Sequence, residues 1–453
     1  MNDGIEIYSK LPDHKKVILV LYNRNDADGF VKYFIGDKVF TELENKKMLD
    51  KVRNEDYFLF FLNRFEHFAT NTPLLLCNLN IFEQRLTKYG IPHEKVWFFS
   101  DSMANQEDFR LRFNSKLNIG TFHTPGCHPD QALQDGNYHQ GETEAIIIDN
   151  FREKVRANFV KNINTRRERH FLALNHKTEY PHRIYLVLLF YKFGLLEKSF
   201  FTFGPNENVL NDILDESKRK HPLVSFLCEK YQISSKDTHE LKSNFDKLIW
   251  KDVIVPHGDF LSKAFYNTFF TPKSFVTDSY FYIENFCKYN RDSGHPGSVT
   301  CWDKNQDLEC ECDECKKLYP MPPPNWSGIH NRVVKLASMY HPFIIFGPPN
   351  VLHFLRGVGF KTFDKWVDES YDEIEDDKQR LFQVSEEILK IGKMSINDLH
   401  EMYVDMREVL EYNFNYYWDE FLPQTLEFNQ DYTQLPYFTL HTDELYAKEF
   451  GLE

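Results

Sequence analysis

The chain has 453 residues, of which 42% are hydrophobic and 16% aromatic, and its formal net charge is −14. This aromatic content excludes a mainly disordered chain, and the length favours two domains of about 150–200 residues each. The negative charge argues against a large polyanionic partner, although it leaves room for a local basic groove.

The start of the chain lacks the apolar region of a secretory signal. The longest apolar runs, such as 184–193, fall well short of the roughly 20 residues that span a bilayer. We therefore expect a cytoplasmic protein with no membrane span, in the host cytoplasm if the protein is viral.

Apolar runs in the first third of the chain alternate with a helical pattern. Strands are predicted at 16–22, 73–78, 95–100 and 144–149. A helix is predicted at 81–89, between the second strand and the third. A strand, a helix and a strand at this spacing form a βαβ unit, which implies a parallel sheet. Residues 1–160 are therefore predicted to be a Rossmann-like domain, although no GxGxxG fingerprint is present.

The same alternation resumes in a second predicted domain, residues 161–375. Strands are predicted at 170–175, 199–203, 279–284 and 342–346, and helices at 182–193, 326–340 and 351–357. Gly194 is the predicted cap of the first of these helices. A Cys-rich insert occupies 291–324, and a helical extension occupies 376–453, with a long acidic amphipathic helix at 377–417.

Polar residues stand where strands of the second domain end, and parallel sheets bind ligands outside the carboxyl ends of their strands. Asn175 ends one strand, His182 and Arg183 open the next helix, and Glu284 ends a later strand. These residues are predicted to touch a ligand. The alternative is that Asn175 caps the helix and that His182 and Arg183 form its polar first turn.

A basic pair precedes the strand at 342–346. Arg332 and Lys335 share a helix face, and the following strand ends at Gly347 before another helix begins. Cationic side chains together with the free N–H groups of a helix N-terminus bind phosphate. The alternative is that the pair lies on a solvated helix face.

Residues 341–374, HPFIIFGPPNVLHFLRGVGFKTFDKWVDESYDEI, resemble a segment of a group of GT-B-type glycosyltransferase-like proteins of phages and bacteria. The group's pattern is roughly EK-x-x-K, hPFi-x-x-G, L-x-x-L-R-x-x-GFkTF and DEsYD. The matching residues are His341, Pro342, Phe343, Gly347, Leu352, Leu355, Arg356, Gly359, Phe360, Thr362, Phe363, Asp368, Glu369, Ser370, Tyr371 and Asp372. An upstream pattern, FlclN-x-x-x-r-x-HR, is similar to Phe171–Asn175 followed by His182 and Arg183. The EK-x-x-K element is also similar to the donor motif of α1,3-fucosyltransferases.

The resemblance implies a GT-B-like α/β fold with an acceptor-side first domain and a donor-binding second domain. It implies a glycosyltransferase that takes a sugar from a UDP- or GDP-sugar. The implied donor-binding residues are Asn175, His182, Arg183, Glu284, Asn331, Arg332, Lys335 and Gly347. One departure is that Asn331 and Arg332 replace the Glu-Lys pair. Arg binds phosphate bidentately, but the loss of Glu removes an acceptor for a hydroxyl group, which puts the donor in question.

The catalytic base of such an enzyme would come from the first domain. Asp26, Asp28 and Asp101 are the candidates, with Glu83 as a further carboxylate near a strand end. Each competes with the commoner role of a solvated or capping carboxylate.

Four cysteines crowd into the insert with the spacing C-x8-C-x-C-x2-C. Cys301, Cys310, Cys312 and Cys315 together favour a structural, tetrahedral Zn²⁺, for which His295 or His330 could replace one thiolate. The alternative is a set of free or oxidisable thiols. Asn331 in place of Glu also fits a zinc-stapled binding module without activity.

Two acceptors remain open. The basic runs 166–170 and 218–221, with Trp302 and Trp326 near the cysteines, fit a modified base of the hydroxymethyl- or hydroxycytosine type in phage DNA. On a chain with a net charge of −14, such short runs are more often part of a solvated surface. The other acceptor is a cell-surface or other glycan.

Overall fold

The computed structural model describes residues 13–22, 36–63, 82–100, 117–121, 144–175, 181–203, 222–248, 278–285, 300–301, 306–307, 336–347, 349–423 and 437–450. Within these residues the chain is a mixed α/β protein whose two larger sheets contain only parallel strands. It divides into two compact units, of which the first contains 1–124, 294–329 and 423–453 and the second contains 125–293 and 330–422.

The first unit is built on a five-stranded sheet. Its strands are β1 (Val17–Tyr22), β2 (Phe58–Asn63), β3 (Val96–Ser100), β4 (Asn118–Thr121) and β11 (Phe438–His441). Their spatial order is β11-β1-β2-β3-β4. Its helices are α1 (Asp37–Asn45), α2 (Met48–Asn54), a helix at 82–88, and α11 (Thr442–Phe450). Separately from this sheet, β8 (Thr300–Cys301) pairs antiparallel with β9 (Gln306–Asp307).

The three central strands of this sheet, β1, β2 and β3, are apolar almost throughout because both faces of the sheet are buried. Ile18 and Val20 of β1 belong to one core cluster, which includes residues of α1 and α2. Leu19 and Leu21 belong to a second cluster on the opposite face, with Phe60 of β2. An alternating pattern would have left one face polar.

The second unit is built on a four-stranded sheet. Its strands are β5 (Arg169–Asn175), β6 (Ser199–Phe203), β7 (Ser279–Asn285) and β10 (Phe343–Phe346). Their spatial order is β10-β7-β5-β6. Its helices are α3 (Glu144–Asn162), α4 (Pro181–Lys192), α5 (Pro222–Lys230), α6 (Ser235–Leu248), α7 (Val351–Gly357), α8 (Asp377–Lys393), α9 (Ile396–Asp405) and α10 (Arg407–Tyr416).

Helices cover both faces of this sheet. Phe190 of α4 packs between Phe171 and Phe201, with ring centroids 5.5 Å and 5.1 Å away. On the other face Tyr403 of α9 lies 6.0 Å from Tyr280 of β7. The second unit is therefore a three-layer α/β/α arrangement, as its predicted strands and helices imply.

Several predicted elements are confirmed. The strands at 16–22, 95–100, 170–175, 199–203, 279–284 and 342–346 and the helices at 81–89, 182–193 and 351–357 are present with small shifts of their ends. Gly194 has φ +65° and caps α4, with Leu195 N–H donating to the carbonyl of Phe190 at 2.7 Å. The strand at 73–78 and most of the insert at 291–324 lie outside the described residues.

The strand predicted at 144–149 is wrong, because these residues begin the 19-residue helix α3. A short apolar run does not distinguish a strand from a buried helix. The deciding signal comes later in the chain, where the buried residues Val155, Phe159 and Ile163 recur every fourth position.

The C-terminal region is also more divided than predicted. The single helix expected at 377–417 is three helices, α8, α9 and α10. Ser395 and Asp398 form a capping box that starts α9. The units also differ from the predicted domains 1–160, 161–375 and 376–453, because α3 and residues 376–422 belong to the second unit and 423–453 to the first.

Candidate functional site

The strand order of the second sheet reverses between β5 and β7. The chain passes from β5 to β6 on one side, then returns to the other side of β5 to form β7 and β10. Connections that leave neighbouring strands in opposite directions open a crevice outside their carboxyl ends, where open α/β sheets bind ligands. Asn175 ends β5 and Glu284 stands one residue before the end of β7. Two predicted site residues therefore lie at the reversal point.

The pleat of the sheet assigns these two side chains to opposite faces. Leu172 of β5 pairs with Tyr282 of β7, and side chains alternate along each strand. Glu284 consequently shares the face of Tyr282, which α9 covers, whereas Asn175 lies on the face covered by α4. Both residues are fully buried. The reversal point is thus flanked by a buried carboxylate on one side and a buried amide on the other.

The first turn of α4 adds two more predicted residues to this edge. Pro181 starts the helix, at the position where a fixed φ and a missing N–H are best tolerated. His182 and Arg183 follow and are 1% and 7% exposed. Burial to this degree does not fit a solvated, polar first turn. Because α4 follows β5 along the chain, His182 and Arg183 lie close to the carboxyl end of β5.

The helix N-terminus after β10 is not available to a phosphate. The carboxylate of Asp372 accepts hydrogen bonds from Leu352 N–H at 3.0 Å and from His353 N–H at 2.8 Å. Asp372 is 1% exposed, and burial raises its pKa, although the two N–H groups act in the opposite direction. The expectation that this helix end would bind the donor diphosphate is therefore wrong, because an internal carboxylate already occupies it.

Gly347, which was predicted to bind the nucleotide-sugar donor, instead contacts another part of the protein. Its carbonyl accepts a hydrogen bond from Nε of Arg380 at 2.9 Å. The same guanidinium donates to the carbonyl of Ile374 at 2.7 Å and also pairs with Asp377. Arg380 is 1% exposed, so this contact fastens α8 to the turn that follows β10.

The DESYD residues that carry the resemblance also bind protein groups. Asp368 accepts from Ser370 N–H at 3.0 Å and caps the short 3-10 helix Glu369–Glu373. Glu369 accepts from Phe363 N–H at 2.7 Å and from Arg356 at 3.0 Å. In the second unit this segment therefore stabilises the connection between α7 and α8.

Most of the other predicted site residues lie outside the described part of the chain. They are Asp26, Asp28, Asp101, Asn331, Arg332, Lys335, Cys310, Cys312 and Cys315. Cys301 is described only as a backbone position in β8. Glu83 lies in the helix at 82–88 and is partly buried.

The basic run 166–170 lies at the amino end of β5, away from the reversal point. Arg167 donates to the carbonyl of Ser279, and its guanidinium stacks 3.9 Å from the ring of Tyr403. His170 Nε2 lies 2.9 Å from the carbonyl oxygen of Met394. Arg169 donates to the carbonyl of Glu197. Three basic residues of this run, which were predicted to contact a nucleic acid, therefore contact the protein itself.

The first unit has a reversal point that the sequence analysis missed. Its strand order reverses between β1 and β11, and β11 ends at His441. The next residue, Thr442, is fully buried, and its hydroxyl has no hydrogen-bond partner among the described residues. No motif marks either residue, because β11 comes from a distant part of the chain.

No protein-family model, no curated protein and no solved structure matches the chain. Within the ranges that the structure describes, no group of three or more His, Cys, Asp or Glu side chains is placed to hold a metal ion. No helix in those ranges is both long enough and apolar enough to cross a membrane.

Proposed function

We propose that this chain is a GT-B-type glycosyltransferase that takes a sugar from a nucleotide-sugar donor, with the donor at the carboxyl edge of the second sheet. One observation carries the proposal. Four buried polar residues mark the carboxyl edge of an all-parallel sheet at its reversal point: Asn175 and Glu284, on opposite faces near the ends of β5 and β7, and His182 and Arg183, in the first turn of α4. The burial of such groups is costly, and ligand binding is a function that selects for it. A second all-parallel sheet in the same chain supports the two-domain GT-B architecture.

The chemistry suggests roles for three of these four residues. Arg183, together with Arg332 and Lys335, supplies positive charge to the diphosphate, on which negative charge grows as the glycosidic bond breaks. Glu284 and Asn175 offer acceptors and a donor to the hydroxyl groups of the ribose or the sugar. A carboxylate of the first unit, for which Asp26, Asp28 and Asp101 are the candidates, takes the proton from the acceptor hydroxyl.

Nucleotide binding is the first test. Thermal unfolding is followed with UDP-, GDP- and CDP-sugars, and one of them is expected to raise the melting temperature. A ligand at about 100 times its Kd stabilises the folded state by about 2.7 kcal/mol. No shift with any of the three would contradict the proposal and favour a binding module without activity.

A variant pair on one strand locates the donor. Glu284→Gln keeps the shape of the side chain and removes its charge, and it is expected to reduce the nucleotide-induced shift. Ser279→Ala at the opposite end of β7 is the matched control, since Ser279 is equally buried. Arg332→Ala and Lys335→Ala are expected to abolish the shift, with Arg166→Ala as their exposed control. Equal effects in Glu284→Gln and Ser279→Ala would place the donor elsewhere.

The structural zinc is proposed on the spacing of Cys301, Cys310, Cys312 and Cys315 alone. Thiolate ligation would supply the stability that a short loop cannot obtain from a core. Metal analysis of the purified protein is expected to find about one zinc per chain, consistent with a single four-thiolate site. A preparation without metal that remains equally stable would contradict this role.

A further inference from the structure

A cleft of about 710 Å³ opens on the second unit, between the segment after α7 and the junction of α9 and α10. This volume falls within the roughly 300–1,000 Å³ typical of small-molecule sites. Phe363, next to the cleft wall, packs 5.2 Å from Phe343, the first residue of β10. The cleft is therefore near the amino end of β10 and is separate from the carboxyl edge where the donor is proposed.

Hydrogen bonds to buried groups fix one wall of the cleft. The amide side chain of Asn413 donates to the carbonyl of Lys361 and accepts from its N–H, both at 2.8 Å. The carboxylate of Glu369 accepts hydrogen bonds from Phe363 N–H at 2.7 Å and from Arg356 at 3.0 Å. A site that is held in shape before binding loses less conformational entropy when a ligand arrives.

An indole and a carboxylate are fixed on the cleft surface. Trp366 Nε1–H donates to Oδ2 of Asp405 at 2.7 Å, and Lys365 donates to the same oxygen at 2.7 Å. Asp405 comes from α9, so this contact joins the two walls. The indole is partly exposed, and Phe360 lies buried at the base of the cleft. Lys365 Nζ lies over the indole ring, 4.7 Å from its centroid, so the site combines one aromatic side chain with oriented donors and acceptors.

The charges that line the cleft select among ligand classes. Four cations and three carboxylates line it: Arg356, Lys361, Lys365, Arg407, Asp364, Asp405 and Glu408. The three carboxylates stand among the four cations and interrupt the continuous positive surface that a phosphate backbone needs, since like charges brought together are costly. An apolar ligand would bury these charged groups without replacing their contacts with water. A neutral polyhydroxylated ligand offers both donors and acceptors and can pack its C–H groups on the indole.

We infer that this cleft is a saccharide-binding site that is distinct from the donor site and binds a neutral sugar unit against Trp366. Asp364 and Asp405 accept from sugar hydroxyl groups, and Arg356 and Lys361 donate to them. The inference holds whether or not the chain transfers a sugar. In a glycosyltransferase such a site would hold a glycan at a distance from the reacting bond.

The test uses the full chain labelled with 5-fluorotryptophan and follows the ¹⁹F resonance of Trp366, assigned by its absence in Trp366→Phe. The probes are neutral methyl glycosides and disaccharides of glucose, galactose, mannose and N-acetylglucosamine, a single-stranded DNA 12-mer, and inorganic phosphate. At least one saccharide is expected to shift the resonance with saturation, and neither the DNA nor the phosphate is expected to do so. A shift with the DNA or phosphate alone, or with no probe, overturns the inference.

Exposed charge variants separate binding from folding. Asp364→Asn and Asp405→Asn are expected to raise the saccharide Kd at least tenfold, because each weakens an acceptor in the cleft. Glu373→Gln, an exposed carboxylate of the same unit outside the cleft, is the control and should leave the Kd unchanged. An equal Kd in all three variants and the unaltered chain also overturns the inference. Because no nucleotide is present, this outcome is independent of the donor test.

Discussion

Glu369 is a buried carboxylate between a cation and a backbone amide. It is 8% exposed and accepts from Arg356 and from Phe363 N–H. Burial raises the pKa of this carboxyl from 4.5 to about 7, while the hydrogen bonds and the charge of Arg356 act in the opposite direction. The loss of solvation dominates, and the folded chain therefore retains this proton at pH values where the unfolded chain has released it.

The stability of the second unit should consequently fall as the pH rises from about 4.5 to 7. A raised folded-state pKa contributes stability that is complete below the unfolded value and is lost as the pH rises through the folded value, here by about 3 kcal/mol. Denaturant unfolding at several pH values, compared between the chain and Glu369→Gln, isolates this contribution. The variant should gain stability relative to the original chain as the pH increases. A difference that is constant with pH would contradict the prediction.

Gly359 and Tyr340 show which features of single residues a sequence pattern can predict. The pattern marks Gly359, but only the structure explains it. Its φ is +102°, and a Cβ atom there would lie 2.5 Å from the ring of Tyr416, a residue 57 positions later. Tyr340 has φ +55° without being glycine, and its ring stacks between Phe159 and Phe414 at 3.8 Å and 4.2 Å. Neither partnership can be predicted from local sequence, because the partners come from distant helices.

At the scale of the element, α7 depends on a cap that lies outside it. The two hydrogen bonds from Leu352 and His353 to Asp372 satisfy N–H groups that a helix of seven residues cannot satisfy itself. Asp376 provides a similar cap to α8 through Gln379 N–H at 2.8 Å, but from an exposed position. The two aspartates therefore provide a matched pair that differs in burial.

Asp372→Ala is expected to lower the free energy of unfolding by about 2–3 kcal/mol, because it leaves buried N–H groups without an acceptor. Asp376→Ala should cost only about 1 kcal/mol, the ordinary value for a lost cap, because water replaces the carboxylate. Asp372→Asn keeps one acceptor and should fall between them. Chemical denaturation of the three variants provides the measurement. An equal loss in Asp372→Ala and Asp376→Ala would show that burial of the cap adds nothing.

Most strands with an apolar run of their own were predictable from sequence, although β2, with the run FLFFLN, was missed. The strands β1, β3, β5, β6, β7 and β10 carry continuous apolar runs, and each was located. β11, with the residues FTLH, is short and partly exposed, and it forms because β1 provides an open edge. The polar residues Asn175, His182, Arg183 and Glu284 were located for the same reason as their strands, since they stand at the ends of those runs. The cleft around Trp366 was missed, since its walls are brought together by tertiary contacts.

At the scale of the whole molecule, the sheet of the first unit combines strands from the start of the chain with β11, near its C-terminal end. β11 pairs in parallel with β1, and Leu440, which is 1% exposed, packs in the core cluster that contains Ile18 and Val20. The first unit therefore requires residues that are separated by more than 400 positions. Such non-local pairing is expected to make its folding slow, because a long loop must close before the contact is formed.

Leu440→Ala tests whether residues 423–453 stabilise the first unit without stabilising the second. Removal of a buried leucine side chain costs about 2–5 kcal/mol, whereas Val160→Ala, at a side chain that is 60% exposed, should change stability by less than about 0.5 kcal/mol. Hydrogen exchange read by mass spectrometry is expected to show faster exchange in β1 and β2, by roughly 30-fold or more, with β5 and β7 unchanged. The sheets are built from separate strands and separate cores, so a defect in one need not open the other. Equal loss of protection in β5 and β7 would instead show that the two units unfold as one.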